Sequence, residues 1–331
     1  MKKERSVMPK HKGLMIFFLI AFGMPVILGI FMGIGFHMGQ NVSAFPLAWM
    51  YLPAAAAMIS VLVSEKEVIS QPPKAFFVTF ASFAALTAVL AVVNVFISEI
   101  ELLGVINVVI MISAAVCGMQ IFLLKKERRS AWGLSVMKNT KKALGCIGIF
   151  LLLYLLMNGI SIGMSLLMGS DLSEFSLNPR AFEYLFLLLP LNLVMSWPAF
   201  FGEEYGWRFF LQPRLQRRFG KRGGVILLGL VWGIWHLPLK MFYYSPNTVL
   251  QSVLVQLAGC VGMAVFFGWV QMRTENVWAV AAIHFLNNNL GVVIFGTLPV
   301  GVERGWMDSL LTIAIYMAVY LPFLGAKEYR L

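Results

Sequence analysis

The chain has 331 residues, of which 60% are hydrophobic and 12% charged, with a mean hydropathy of +0.81 and a net charge of +11. Soluble domains carry about 25% charged residues, so the composition excludes a soluble globular protein and points to an all-α polytopic transmembrane bundle. The positive charge suggests a nucleic-acid partner only until its distribution along the chain is read.

A helical span needs about 20 apolar residues. Runs of that kind fall near 13–36, 45–64, 75–97, 102–124, 143–168, 183–212, 223–239, 248–270, 277–298 and 309–324, which predicts about ten helices. The runs are continuous rather than alternating, which argues against barrel strands. The first follows MKKERSVMPKHK, a stretch like the start of a secretory signal. That run is longer than a signal core and no A-x-A-like site follows it, so it reads as a retained first helix. Cys117, Cys146 and Cys260 lie inside the runs and show no CxxC spacing, so they offer neither a disulfide framework nor a metal motif.

The largest basic connection, KKERRSAWGLSVMKNTKK at 125–142, divides the chain. The four runs before it hold no Asp, Glu, His, Lys or Arg, and the six after it hold every ionisable residue at membrane depth. The expected division is an N-terminal four-helix unit, 1–130, with no assigned role, and a six-helix unit, 141–326. The connecting segment is amphipathic and reads equally as a surface helix or a solvated loop. Of the 26 Lys and Arg, 23 fall in the N-terminal tail, 65–74, 125–142, 202–222, 271–276 and the C-terminal tail. The alternate connections hold three, Arg180, Lys240 and Arg304. This asymmetry predicts cytoplasmic termini. The basic charge serves topology and contact with the lipid bilayer, not nucleic acid. The expected location is the cell membrane, or an internal membrane such as the endoplasmic reticulum in a eukaryote.

Glu203 and Glu204 stand out in the otherwise lipid-like stretch PLNLVMSWPAFFGEEYGWRFFLQPRL. An ionisable group at that depth costs several kcal/mol, so a functional role is the default hypothesis. Glu204 and Arg208 are four apart and share a helical face as a potential ion pair, whereas Glu203 is rotated about 100° from it. If the sixth helix continues to Gln212, just before Pro213, Glu203 lies very roughly 15 Å above the cytoplasmic border, with His236 at about 20 Å and His284 at about 12 Å. These depths permit convergence. His284 and Asn288 are four apart and present an imidazole and an amide on one face, a pair suited to a developing oxyanion. Gly202 and Gly206 suit close approach of a neighbouring helix, or a kink.

EEYGWR at 203–208, WGIWH at 232–236 and HFLNN at 284–288 match, in order, EExxxR, FxxxH with Trp in the Phe place, and HxxxN. Together they resemble the CPBP intramembrane protease family, which includes type II CAAX prenyl endopeptidases and bacterial proteins linked to bacteriocin processing or self-immunity. The resemblance implies hydrolysis of a peptide bond in a peptide or membrane-attached protein. Glu203 and His236 would activate water, His284 and Asn288 would form the oxyanion site, and Glu204 and Arg208 would support them. No cofactor is expected. Glu203, His236 and His284 also make a zinc-ligand set with an open position, so a zinc-dependent version is an alternative, although HExxH is absent. A non-catalytic peptide-binding immunity protein or a transporter-like protein is the other alternative. Taken singly, the histidines and Asn287, Asn288 and Asn289 have a plain reading as packing or helix-bridging residues.

Overall fold

The computed structural model describes residues 11–64, 71–97, 102–171, 177–296 and 300–330. The basic tail up to residue 10 and the connections at 65–70, 98–101, 172–176 and 297–299 bear on the charge asymmetry but lie outside the described residues. All regular structure described is helical, and the protein is a multi-pass integral membrane protein.

Among the described residues, nine helices are long and apolar enough to cross a membrane, against about ten expected. The difference lies at 181–235, a continuous stretch of 55 residues. Straight, it would reach about 82 Å, against a hydrocarbon core of about 30 Å. It is not straight, because Gly220 has φ 73 and ψ 165, a non-helical conformation that glycine adopts without a Cβ penalty. The break sits among Arg217, Arg218, Lys221 and Arg222, so the sixth and seventh apolar runs are two spans meeting at a basic turn.

The described chain forms two compact units. Unit one runs to Val136 and also contains Pro198–Arg214. It holds helices α1 (His11–His37), α2 (Ala44–Trp49), α3 (Leu52–Ser64), α4 (Lys74–Phe96), α5 (Leu102–Leu123) and the six-residue α6 (Lys126–Ala131). Between helices in lipid, van der Waals packing and small residues do the work that burial from water does in a soluble core. Ala54, Ala55, Ala56 and Ala57 are all buried and keep α3 thin. The Ser60 hydroxyl donates to the Gly13 carbonyl, joining α3 to α1, and Tyr51 and Ser113 hydroxyls share a hydrogen bond of 2.8 Å. The amphipathic connection is anchored rather than loose. Trp132 and Leu134 are buried, and the Trp132 indole donates to the Gln71 carbonyl at 3.2 Å.

Unit two comprises Met137–Trp197 and residues from Leu215 onward. It holds α7 (Thr140–Leu167), the start of α8 (Leu189–Glu204), most of α9 (Gln212–Trp235), then α10 (Val249–Thr274), α11 (Val277–Phe295) and α12 (Trp306–Tyr320). Leu152, Leu155 and Leu167 of α7 are exposed, as a lipid-facing helix requires. A reciprocal clasp joins the start of α7 to the α10–α11 turn. The Asn139 amide donates to the Thr274 carbonyl and the Asn276 amide donates to the Lys138 carbonyl, both at 2.8 Å. Lys138 and Glu275 close it with an ion pair of 2.7 Å.

Candidate functional site

The carboxylates belong to unit one. Residues 198–204 end α8, the π-helical turn Tyr205–Leu211 follows, and α9 begins at Gln212. The helix therefore continues through Gln212 as expected, and runs on to the break at Gly220. The π turn was not foreseen. It coincides with Pro213, which has no N–H to give to the preceding turn. The Gln212 N–H reaches back five residues to Trp207, and the Arg214 guanidinium donates to the Phe210 carbonyl while lying 3.6 Å above the Phe210 ring. Such widened turns occur frequently at functional sites.

Two glycines let this segment meet α2–α3 backbone to backbone. A Cβ on Gly202 would lie 2.4 Å from the Met50 carbonyl oxygen, and one on Gly206 would lie 2.4 Å from the Pro53 carbonyl carbon. Aromatic rings fix its rotation: Phe201 packs edge-on against Phe80 at 6.1 Å, Phe210 stacks on Phe17 at 4.8 Å, and Trp207 meets Phe17 at 5.9 Å. Glu203 is 3% exposed. Glu204 and Arg208 form the expected ion pair, Nε to Oε2 2.9 Å, with both side chains fully buried. A buried pair contributes little compared with a well-packed apolar pair, but losing one partner leaves an uncompensated charge, at roughly 3–5 kcal/mol.

The imidazoles and the amide belong to unit two. Helix α9 approaches α10 through Gly229 and Gly233, where added Cβ atoms would lie 2.5 Å from the Val261 Cα and 3.0 Å from the Leu257 Cα. At its end the His236 N–H turns back to the Gly233 carbonyl, 3.2 Å. The ring takes the carbonyl one residue earlier, with Nδ1 2.8 Å from the Trp232 oxygen. A carbonyl only accepts, so Nδ1 carries the proton and Nε2 keeps its lone pair.

Helix α11 supplies the second imidazole. His284 is 4% exposed, and the Trp232 indole touches both rings, 5.7 Å from His236 and 5.6 Å from His284 between centroids. Phe267 of α10 completes the cluster, 5.8 Å from His284 and 6.0 Å from Trp232. Asn288, one turn beyond His284, is exposed and its oxygen accepts from the Asn287 amide at 3.1 Å. Asn289 is the helix-bridging member of the triplet, accepting from Asn192 at 3.2 Å and donating to the Phe285 carbonyl at 2.8 Å.

The structure thus brings Glu204 to Arg208, and His236 to His284 across Trp232. Sequence reasoning treated Trp232 as packing and missed Phe267. It also passed over the Gly229–Gly233 pair, a GxxxG spacing that signals close helix contact. Glu203, His236 and His284 are donor types that zinc accepts. Within either unit, the described residues contain no group of three His, Cys, Asp or Glu able to hold a metal ion.

Each unit of this polytopic membrane protein thus carries its own polar group, buried carboxylates in one and clustered imidazoles in the other. Residues 185–290, about a third of the chain and the stretch with all three motifs, match the family model for type II CAAX prenyl endopeptidases, Rce1-like. A curated protein of Methanococcus maripaludis named CAAX prenyl protease 2 is 28% identical over 135 residues, 39% of this chain and 49% of that protein. The chain spans about half the length of this curated relative. Both matches bear out the resemblance to the CPBP family.

Proposed function

We propose that this protein is an intramembrane endopeptidase that hydrolyses a peptide bond in a peptide or membrane-attached protein, with Glu203 as the general base and both termini on the cytoplasmic side. The observation that carries the reading is His236: its Nδ1 is committed to the Trp232 carbonyl, so Nε2 is free to accept from water, in a segment matched to a protease family.

The proposed chemistry uses the chain's own groups. Water held by Glu203 and His236 gives a proton to the Glu203 carboxylate as its oxygen bonds to the scissile carbonyl carbon. The carbonyl electron pair moves onto oxygen, where N–H groups of His284 and Asn288 receive it. The C–N bond then breaks, and Glu203 returns the proton to the departing amine. Glu204 and Arg208 act as supporting residues that hold the helix carrying Glu203. The relative's name refers to prenyl substrates; for this chain the reading extends to peptide or membrane-attached protein, with prenylation left to the substrate screen.

The test is Glu203→Gln in the full-length protein. Peptide cleavage should fall by about 10²–10⁴-fold, with insertion and thermal stability kept, and the variant should trap peptides identifiable by mass spectrometry. Unchanged cleavage would overturn the assignment. Capture by both forms with cleavage by neither would favour the immunity-type binder. Cleavage is expected to persist in chelator, with no stoichiometric zinc in the purified protein by metal analysis. Loss on chelation and recovery with zinc would make Glu203, His236 and His284 metal ligands instead.

A further inference from the structure

Unit two carries a second polar feature, on the segment that opens α8. That segment follows a π turn, Tyr184–Leu188, where the Leu189 N–H reaches back five residues to the Tyr184 carbonyl. Asn192 is exposed there, on a stretch (185–197) that holds no charged residue. Its amide donates to the Asn289 side chain of α11 at 3.2 Å, and Asn289 in turn donates to the Phe285 carbonyl at 2.8 Å. Both asparagines belong to unit two. Asn289 lies well along the 19-residue α11, about 18 Å from its start, inside a hydrocarbon core of about 30 Å.

The rings of Trp197 and Trp278 already join these two helices, 4.9 Å between centroids. An asparagine that only bridged them would be buried at the contact, yet Asn192 and Asn288 are both exposed. Among the described residues, the Asn192 Oδ1 and its second amide hydrogen have no other partner. The Ser196 hydroxyl goes to the Asn192 main-chain carbonyl at 2.7 Å and leaves the side chain alone. Lipid tails offer no hydrogen bonds, so polar groups left over at this depth call for water or a polar ligand.

What remains at position 192 is one acceptor and one donor on a planar amide, the same pair that a peptide unit presents. Apart from His284, residues 185–197 and 277–295 hold no ionisable side chain. The complement is therefore a neutral group with one N–H and one C=O, not a phosphate or a carboxylate. An extended peptide at membrane depth needs such a partner, because its main-chain groups have lost water and have no helix to pair them.

We infer that Asn192, steadied by Asn289, is a substrate-binding residue that takes a main-chain peptide unit of an extended substrate. This assignment rests on the endopeptidase reading, which brings a peptide to the adjacent Asn288. It adds a residue that none of the three motifs contains.

The test uses the full-length protein in phosphatidylcholine nanodiscs. A degenerate octapeptide library yields a cleaved peptide, identified by mass spectrometry and remade with one main-chain nitrogen methylated at a time. Each methylation deletes a single N–H. Away from the scissile bond, one methylation should lower kcat/KM roughly fivefold, the effect of one neutral hydrogen bond. In Asn192→Leu that penalty should vanish while penalties elsewhere in the peptide persist. A residue that only bridges helices would change all the peptides alike. Equal penalties in wild type and variant at every position therefore overturn the binding role and leave the endopeptidase reading standing. A library captured but not cleaved overturns that reading instead, and the methylation series read by capture then decides the role of Asn192. A wild type indifferent to methylation away from the scissile bond overturns the inference without any variant, so a misfolded Asn192→Leu leaves the test intact.

Discussion

In unit one the acid-bearing segment is held backbone to backbone, Gly202 against Met50 and Gly206 against Pro53, and Glu204 is matched within one turn by Arg208. In unit two the imidazoles are held by rings and a carbonyl, with Trp232 and Phe267 as walls and the Trp232 oxygen on Nδ1. The difference teaches how each kind of group is kept at membrane depth. A charge needs a counter-charge and a rigid approach that excludes lipid. A neutral imidazole needs only one acceptor to choose its tautomer, and apolar rings to choose its orientation.

The comparison is broken most severely at Arg208. Arg208→Met should leave Glu204 buried without its cation and cost roughly 3–5 kcal/mol, while Glu204→Gln combined with Arg208→Met should regain most of that. Thermal unfolding in detergent measures both. A double variant no better than the single one would deny that the pair is a matched unit. Next in size is Gly229→Ala in the histidine unit. The new Cβ would meet the Val261 Cα at 2.5 Å, so α9 and α10 must separate, at about 1–3 kcal/mol. Because those helices carry His236 and Phe267, cleavage should fall with stability in this variant, and unchanged kinetics would show that helix spacing there is not critical.

The smallest effect belongs to the exposed clasp at the α10–α11 turn. The Lys138 ammonium, first by hydrogen bonding and then by its charge, holds the Glu275 carboxyl below its usual range. With a depressed folded value, the contribution is present above the ordinary carboxylate range and is lost as pH falls through the folded value. Glu275→Gln should therefore cost no more than about 1 kcal/mol near neutrality. It should also flatten the acid limb of a stability-against-pH curve. A variant that retains the wild-type limb would assign that limb to other groups.

Much of this was legible in the sequence. The ion pair follows from four-residue spacing, and close approach at Gly202 and Gly206 follows from small residues in a helix facing another helix. Which helices pack together was not legible. Lipid and helix interior are equally apolar, so hydropathy carries little partner information. Residues 198–214 therefore read as part of the C-terminal half, although Phe201, Trp207 and Phe210 pack on rings from the first and fourth helices. The π turn at 205–211 was equally hidden, because its only local sign is Pro213, which is common in regular helices near their starts. The pairing of the turn after the seventh span with the connection before the last helix was hidden too, since it rests on hydrogen bonds between segments 56–58 residues apart, Thr248 with Arg304 and Tyr244 with Val302.

The acceptor that orients His236 is a main-chain oxygen, so no exchange of side chain at position 232 removes it. Trp232→Phe should keep the proton on Nδ1 and shift only how the rings fit. The motif position can therefore drift among bulky aromatics while the imidazole beside it keeps the same nitrogen turned outward, a form of robustness written into the polypeptide rather than into any codon.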